Sequence, residues 1–263
     1  MNRMILAIIN TLSVVLVLGV NYYSQIYGIN GNRVGELSGR YDNLFTPASY
    51  AFSIWGIIFL MMIFLVSYQL YTAFFKHKSP KEFDQMGLWF SLTNVGNASW
   101  VIVWLYEWTF LSVVVMSFIL ISLLRVVVNI NLAGNHPNTP ETVGIYWPIS
   151  IYSGWISVAI VANIAAYLSK LGWQGEFLGE DGWAMLMILI ATLIYGYMVL
   201  IRNMSAFAMV GIWALLAIYI RQQEMNPYVG ITAVAGASAL FLLIILNRYR
   251  ESKRNRIKIG VMS

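Results

Sequence analysis

The sequence predicts an all-α protein, a polytopic transmembrane helix bundle, from its composition and from the recurrence of its apolar stretches. Of the 263 residues, 59% are hydrophobic and 10% are charged, and the mean hydropathy is +0.70. Soluble domains carry about 25% charged residues. The apolar stretches are long enough to cross about 30 Å of hydrocarbon at about 1.5 Å per residue. We therefore count membrane spans rather than soluble domains.

The predicted spans number about eight, and in chain order they cover residues 4–23, 49–75, 86–106, 109–132, 145–169, 183–202, 204–221 and 227–247. The first is interpreted as a helix rather than a signal peptide, because its apolar core is longer than a typical signal core and no small-residue cleavage site follows it. Arg202 and Asn203 separate the sixth span from the seventh. The chain has no cysteine, which excludes disulfides and thiolate chemistry.

Basic residues orient this bundle. With eight spans and a cytoplasmic N-terminus, twelve of the sixteen lysines and arginines lie in cytoplasmic segments, and most acids lie outside. The positive-inside rule predicts this asymmetry, so we expect an integral protein of the bacterial inner membrane with both termini in the cytoplasm. The net charge of +5 therefore reflects topology and does not indicate a nucleic-acid partner. The tail NRYRESKRNRIK is interpreted as an anchor on anionic lipid, with RNA binding as the alternative.

Three of the predicted helices carry a stripe of aromatic and polar side chains. Steps of three and four residues place each stripe on one helix face. The stripes are Phe52, Trp55, Phe59 and Met62 in the second span, Thr93, Asn97, Trp100 and Trp104 in the third, and Tyr152, Trp155, Ala159 and Asn163 in the fifth. An amide without a partner is costly in hydrocarbon, so Asn97 and Asn163 must face protein, water or a ligand.

Two interpretations of the stripes remain open. In the structural one, the asparagines form hydrogen bonds between helices and the rings fill gaps. In the functional one, the stripes line a pocket for a flat, mostly apolar molecule, which stacking holds and the polar groups orient. The depth of Trp55, Trp100, Trp104 and Trp155 favours the pocket, because an interfacial belt accounts only for tryptophans near the ends of spans.

The segments that contain these stripes also resemble a known family. They are YDNLFTPASYAFSIWGIIF from Tyr41, NASW at residues 97–100, and YSGWISVAIVAN at residues 152–163. All three are similar to the tryptophan-rich sensory protein family, TspO/MBR, which includes the mitochondrial translocator protein. Pro47 and Trp55 keep the spacing of that family's second-helix motif. The departures are Ser53 and Ile151, which stand where prolines are usual, and about eight spans where the family has five.

The resemblance covers about residues 4–170 and implies a division of the chain into a TspO-like five-helix bundle (1–170), three additional transmembrane helices (171–247) and a basic cytoplasmic tail (248–263). It implies a sensor or carrier, often homodimeric, with a pocket for a tetrapyrrole such as protoporphyrin or haem, or for a sterol or isoprenoid. The ligand-binding residues expected on this basis are Phe52, Trp55, Phe59, Thr93, Asn97, Trp100, Trp104, Tyr152, Trp155, Ala159 and Asn163.

In that family the loop between the first two helices closes over the pocket. The corresponding segment here, SQIYGINGNRVGELSGRYDNLFTP, shows no clear element of its own, and long loops of this kind are commonly lids. Arg33 and Arg40 on it are candidates to hold porphyrin propionates by charge-assisted hydrogen bonds. The alternative is that both are solvated charges paired with Glu36 and Asp42.

The last three predicted spans lie outside the resemblance. They are expected to cover a lateral opening of the bundle, to mediate oligomerisation or to bind a partner. The stretch GITAVAGASAL carries the small residues Gly230, Ala233, Ala237 and Ala239. Such residues permit close helix contact, and packing within the chain is favoured over a partner interface.

Two other functions stay open, a secondary transporter and a membrane enzyme that degrades porphyrin. Few acids lie deep in a span, which argues against ion-coupled transport, and no catalytic set appears within the spans. We expect no metal site, because His77 and His136 lie in loops without companion ligands. We also expect that the protein requires no cofactor. A tetrapyrrole would be bound as a ligand.

Overall fold

A computed structural model describes residues 2–76, 78–132 and 138–262, with side chains described as far as Lys253. Within these ranges the chain is helical apart from its connections and has no β-strand, which confirms the all-α prediction. The α-helices are α1 (Arg3–Ile26), α2 (Val34–Arg40), α3 (Ile54–Phe75), α4 (Lys81–Met86), α5 (Trp89–Leu105), α6 (Thr109–Asn129), α7 (Thr139–Glu141), α8 (Trp147–Lys170), α9 (Gly179–Leu200), α10 (Ser205–Gln222) and α11 (Pro227–Met262). Short 3-10 helices precede α3 (Ser49–Ser53) and α9 (Glu176–Leu178), and a π turn joins α7 to α8 (Thr142–Tyr146).

Among the described residues, seven helices are long and apolar enough to cross a membrane, and they coincide with seven of the predicted spans. The remaining prediction, residues 86–106, corresponds to α5, which has 17 residues. At about 1.5 Å per residue α5 is about 26 Å long, slightly shorter than a hydrocarbon core of about 30 Å. It lies along both α1 and α6, so it belongs to the same bundle. The prediction of an integral helical membrane protein is confirmed.

The long helices pack around α8. On one side α8 lies along α3 and α6, and α5 lies along α6 and α1. On the other side α10 lies along α8, and α10 and α11 pack together with α9. Buried apolar side chains from α1 to α11 form one continuous core in the described part of the chain. The first five long helices therefore share one core with the last three. The predicted division of the chain into a five-helix bundle and three additional helices stays a prediction.

Two glycines fit α9 and α10 closely against α8. The ring of Tyr195 in α9 lies over Gly211 of α10, where a Cβ would come within 2.7 Å of ring atoms. The Tyr195 hydroxyl donates to the carbonyl oxygen of Gly154 in α8 at 2.7 Å. A Cβ on Gly154 would lie 2.8 Å from the carbonyl oxygen of Phe207 in α10. The close approach of these helices thus depends on small residues, as is common in membrane bundles.

The last helix contributes only part of its small-residue stretch to this packing. Ala233 and Ala237 are buried, whereas Ala239 is exposed. The helix also continues beyond its predicted end at residue 247, and the amide of Asn203 donates to the carboxylate of Glu251 at 2.9 Å. The turn between α9 and α10 thereby holds the first part of the basic tail.

The segment from residue 27 to residue 48, called the lid below, covers one end of the bundle. Contrary to the sequence prediction, it has an element of its own, α2, whose two glycines make it a weak helix former. Asn32 Nδ2 donates to the carbonyl oxygen of Leu105 at the end of α5, at 2.9 Å. The backbone N–H of Ala48 donates to the carbonyl oxygen of Ala217 in α10 at 3.0 Å. The lid is thus fastened to both halves of the chain.

Candidate ligand-binding site

All seven aromatic side chains of the predicted stripes lie in or against the core, and six of them form what we call the aromatic wall: Phe52, Trp55, Phe59, Trp100, Trp104 and Trp155. Trp55 stacks on Phe59 with ring centroids 5.3 Å apart and meets Trp155 edge-on at 6.3 Å. Trp100 stacks on Trp104 at 5.9 Å. Aromatic pairs prefer such stacked and edge-on arrangements. The wall therefore combines rings from α3, α5 and α8 and from the 3-10 turn before α3.

An inner chamber lies on one side of the wall and has a volume of about 50 Å³. The predicted ligand residues that line it are Phe52, Trp55, Trp100, Trp104, Trp155, Ala159 and Asn163. The lid contributes Val34, Ser38, Phe45 and Pro47, and α10 contributes Ala214 and Ile218. A hollow of this size holds a few water molecules at most. It does not have room for a tetrapyrrole.

A lateral groove between α1 and α3 lies on the other side of the wall and has a volume of about 820 Å³. Small-molecule sites usually measure about 300–1,000 Å³. The groove shares Val34, Phe52, Trp55 and Trp100 with the chamber, and its further lining residues are Val15, Leu18, Gly19, Asn21, Tyr22, Gln25, Gly56 and Phe59. No heavy atom lies within 4 Å of a Cβ built on Gly19 or Gly56. These two glycines therefore leave the groove open beside them.

Three of the predicted ligand residues, Asn97, Tyr152 and Thr93, lie outside both hollows, and the first two of them join helices. Asn97 Nδ2 donates to Tyr152 Oη at 3.0 Å, and Asn97 Oδ1 accepts from Asn21 Nδ2 of α1 at 3.3 Å. Thr93 is buried, and its hydroxyl donates to the carbonyl oxygen of Trp89 in the same helix at 3.0 Å. For Asn97 and Tyr152, the interpretation of the stripes as interhelical hydrogen bonds describes the contacts that are present.

Asn163 combines both interpretations, because it lines the chamber and also bridges helices. Its Oδ1 accepts from Trp100 Nε1 at 2.8 Å, and its Nδ2 donates to Ser112 Oγ of α6 at 2.8 Å. Trp155 differs from it. The side chain is 3% exposed, and its indole N–H has no hydrogen-bond partner among the described residues. Trp155 Nε1 is therefore a buried donor that no described acceptor satisfies.

The two lid arginines lie in different surroundings. Arg33 forms an exposed ion pair with Glu36 at 3.1 Å, and its Nε donates to the carbonyl oxygen of Gln25, a groove residue, at 3.0 Å. Arg40 pairs instead with Glu107 at 3.6 Å. The expected pairing with Glu36 is thus present for Arg33. Asp42 was the other expected partner, and it binds Arg221 of α10 at 2.7 Å.

Glu107 is the centre of a polar cluster that fastens the lid, called the latch below. Its carboxylate accepts a hydrogen bond from the Tyr41 hydroxyl, and its carbonyl oxygen accepts from Lys170 Nζ at 2.6 Å. The hydrogen bond from Tyr41 lowers the pKa of Glu107. Burial, together with the same hydrogen bond, raises the pKa of Tyr41 to about 12. At neutral pH the latch therefore joins a neutral phenol to an ionised carboxylate.

Sequence reasoning missed the polar face of α1. Asn10 Nδ2 donates to Gln69 Oε1 of α3 at 3.1 Å, and Asn94 Nδ2 of α5 donates to Ser13 Oγ at 3.0 Å. Asn10, Ser13 and Asn21 are separated by helical steps, so the rule that revealed the three stripes would also have found this face.

The structure offers no metal centre within the residues it describes, where no group of three or more His, Asp or Glu side chains could hold an ion. His77 and His136, considered in the sequence analysis, lie outside the described residues. The described part of the site is thus built from aromatic rings, aliphatic side chains and neutral amides, with charges confined to the lid and its partners.

Together, the fold and these hollows define a polytopic helical membrane protein with an aromatic wall between its helices. A family model described as TSPO-like protein matches residues 7–246. The chain therefore belongs to the TSPO-like protein family, which confirms the resemblance seen in the motifs. The match extends through the last three long helices, beyond residues 4–170 that the motifs cover. Comparison with curated proteins and with solved structures gives no match.

Proposed function

We propose that this TSPO-like membrane protein binds a flat, mostly apolar molecule of the tetrapyrrole class in the lateral groove, as a sensor or carrier. The observation that carries the proposal is a hollow of about 820 Å³ with aromatic rings along one side. Large flat rings bind a flat apolar guest by stacking and dispersion. The chamber behind the wall, at about 50 Å³, is too small to be the site itself.

The groove is suited to a guest that arrives through the bilayer. Its lining includes Val15 and Tyr22, which are 60% and 69% exposed. In a membrane such side chains face lipid, so the groove opens sideways between α1 and α3. An apolar molecule dissolved in the hydrocarbon can therefore reach the aromatic wall without crossing the lid.

Polar groups at one end of the groove favour a guest that carries carboxylates. Asn21, Tyr22 and Gln25 line that end, and Arg33 donates to the backbone of Gln25. The Arg33 and Glu36 side chains are 48% and 59% exposed, and exposed ion pairs contribute only about 0–1 kcal/mol. Arg33 can thus exchange Glu36 for a propionate at little cost. A sterol or isoprenoid would gain nothing from this arginine.

Groove-filling substitutions test the proposal. Gly56→Leu and Gly19→Leu each place a side chain where the groove is open, and leucine favours the helix more than glycine does. We expect protoporphyrin to bind about tenfold or more weakly to either variant. The measurement is quenching of tryptophan fluorescence on titration of protoporphyrin into protein in nanodiscs. The control is Ala239→Leu at an exposed position of α11.

Unchanged affinity in both glycine variants would overturn the assignment of the groove. Saturable binding of a sterol, with none of protoporphyrin, would keep the groove and replace the ligand class. The homodimer implied by the family, and the orientation of the termini in a bacterial inner membrane, stay predictions.

A further inference from the structure

A third hollow lies between the C-terminal part of α8 and the N-terminal part of α9 and measures about 600 Å³. Its apolar lining includes Val161 and Ala165 of α8 and Ala184 and Met187 of α9. Of its lining residues only Phe45 also lines the chamber. It shares none with the lateral groove, so it is a separate space.

One end of this hollow is aromatic. Trp173 and Trp183 both line it, with ring centroids 5.5 Å apart and planes inclined by 58°. The Trp183 Nε1 donates to the carbonyl oxygen of Gly175 at 2.8 Å, which fixes that ring. Tryptophan faces are the best aromatic partners for cations, and quaternary ammonium groups are recognised in this way.

The charge at the same end is negative. Asp42 and Glu180 line the hollow, and no lysine or arginine is among its described lining residues. Asp42 is already neutralised by Arg221 at 2.7 Å. Glu180 has no ion pair within the described part of the chain, and it lies in the first turn of α9 beside Asp181. The two acids of that turn offset the positive end of the helix dipole.

We infer that this hollow is a second ligand site, which takes a free single-chain amphiphile with a quaternary ammonium head. The head lies against Trp173 and Trp183, close to Glu180, and the chain lies along Val161, Ala165 and Met187. The volume is that of a site for one drug-sized molecule, which favours a single chain over a membrane lipid with two. This site does not depend on the ligand proposed for the groove.

Calorimetric titration of decyltrimethylammonium into the full-length protein in nanodiscs of uncharged lipid, with empty nanodiscs subtracted, tests the inference. We expect one saturable site that is about tenfold or more weaker in Trp173→Leu. Glu180→Gln should weaken it several-fold, and the weakening should shrink at high salt. The matched control is Glu224→Gln, which removes an exposed acid that does not line the hollow.

An uncharged amphiphile with the same decyl chain gives the decisive comparison. We expect it to bind at least about tenfold more weakly, because it lacks the charge that the rings and Glu180 recognise. Equal binding of the two, equal binding by Trp173→Leu and the native protein, or no saturable binding at all would overturn the inference.

Ala165→Phe fills the hollow and should abolish binding, while thermal unfolding reports whether the variant is folded. Gly56→Leu should bind the ammonium probe normally, so failure at the groove and failure here are distinguishable.

Discussion

The two sides of the aromatic wall differ far more in the space beside them than in the residues that form them. Four side chains face both hollows, yet the chamber measures about 50 Å³ and the groove about 820 Å³. The lid and α10 fill the chamber side, whereas Gly19 and Gly56 leave the groove side open. A stripe of large side chains locates the wall, and the residues opposite the wall determine where a guest can fit.

The largest effect is expected where α10, which lines the chamber through Ala214 and Ile218, packs against α9. Gly211→Val would place its Cβ about 2.7 Å from atoms of the Tyr195 ring, and the Tyr195 hydroxyl is held by Gly154. Overpacking costs about 1–3 kcal/mol of stability and occasionally more. We therefore expect the free energy of unfolding to fall by an amount at or above the top of that range. The measurement is equilibrium unfolding in mixed micelles, with Ala239→Val as the exposed control. Native stability in Gly211→Val would mean that α10 is not held in this way.

A smaller effect on protoporphyrin affinity should show whether the ligand contacts the groove side or the chamber side of the wall. Phe59 lines the groove and not the chamber, and Trp155 lines the chamber and not the groove. A ring contact contributes about 0.5–1.5 kcal/mol, so Phe59→Leu should weaken protoporphyrin binding about 2- to 10-fold. Trp155→Phe should leave the affinity within about twofold. The opposite ranking, measured by the same fluorescence titration, would place the guest in the chamber.

The charge on the lid should have a still smaller effect. Arg33→Gln should weaken protoporphyrin binding by at most about fivefold, since an exposed charge pair contributes about 0–1 kcal/mol. Binding of the dimethyl ester, which lacks both carboxylates, should not change. Arg40→Gln is the matched control, because Arg40 pairs with Glu107 away from the groove. Equal losses for the acid and the ester would show that Arg33 acts through the lid and not through charge.

The smallest effect concerns the latch on the chamber side. Because the pKa of Glu107 is lowered in the folded protein from its ordinary value of 4.5, its stabilisation is fully present above that value and is lost progressively as the pH falls from there through the lowered pKa. Hydrogen exchange of residues 32–41, compared between pH 7 and pH 4, should therefore speed up on acidification beyond its intrinsic pH dependence. Glu107→Gln should remove most of that difference. If the change in exchange between pH 7 and pH 4 is the same in Glu107→Gln, another titrating group causes it.

The helices were predictable because burial in lipid demands long apolar runs, and their composition is visible in the sequence. The limits of such reasoning appear at the short elements. The 17 residues of α5 fall just below the length of a full span. The lid helix α2 was missed because Gly35 and Gly39 lower its helix propensity, while its contacts to α5 and to the 3-10 helix before α3 are invisible in a linear pattern.

The candidate site was predictable as a set of side chains but not as a volume. Helical steps identified the rings of the wall, and the structure brings seven of the eleven candidates to the chamber. The same steps could not show that Asn97 already bonds Tyr152 and Asn21. Nothing in the sequence marks Ala214 and Ile218 of α10 as chamber residues, because an alanine and an isoleucine in an apolar helix carry no distinguishing signal.

The chamber and the groove share a boundary of four side chains. Val34, one of the four side chains common to both, belongs to the lid, and its carbonyl oxygen accepts from the Trp104 indole at 3.4 Å. A ligand in the groove, if it binds as proposed, would contact Val34 and could thereby alter how the lid is seated over the chamber. Binding in the groove would then change the lid, which covers one end of the bundle. By thermodynamic reciprocity, a molecule that binds the lid would change the affinity of the groove for its ligand.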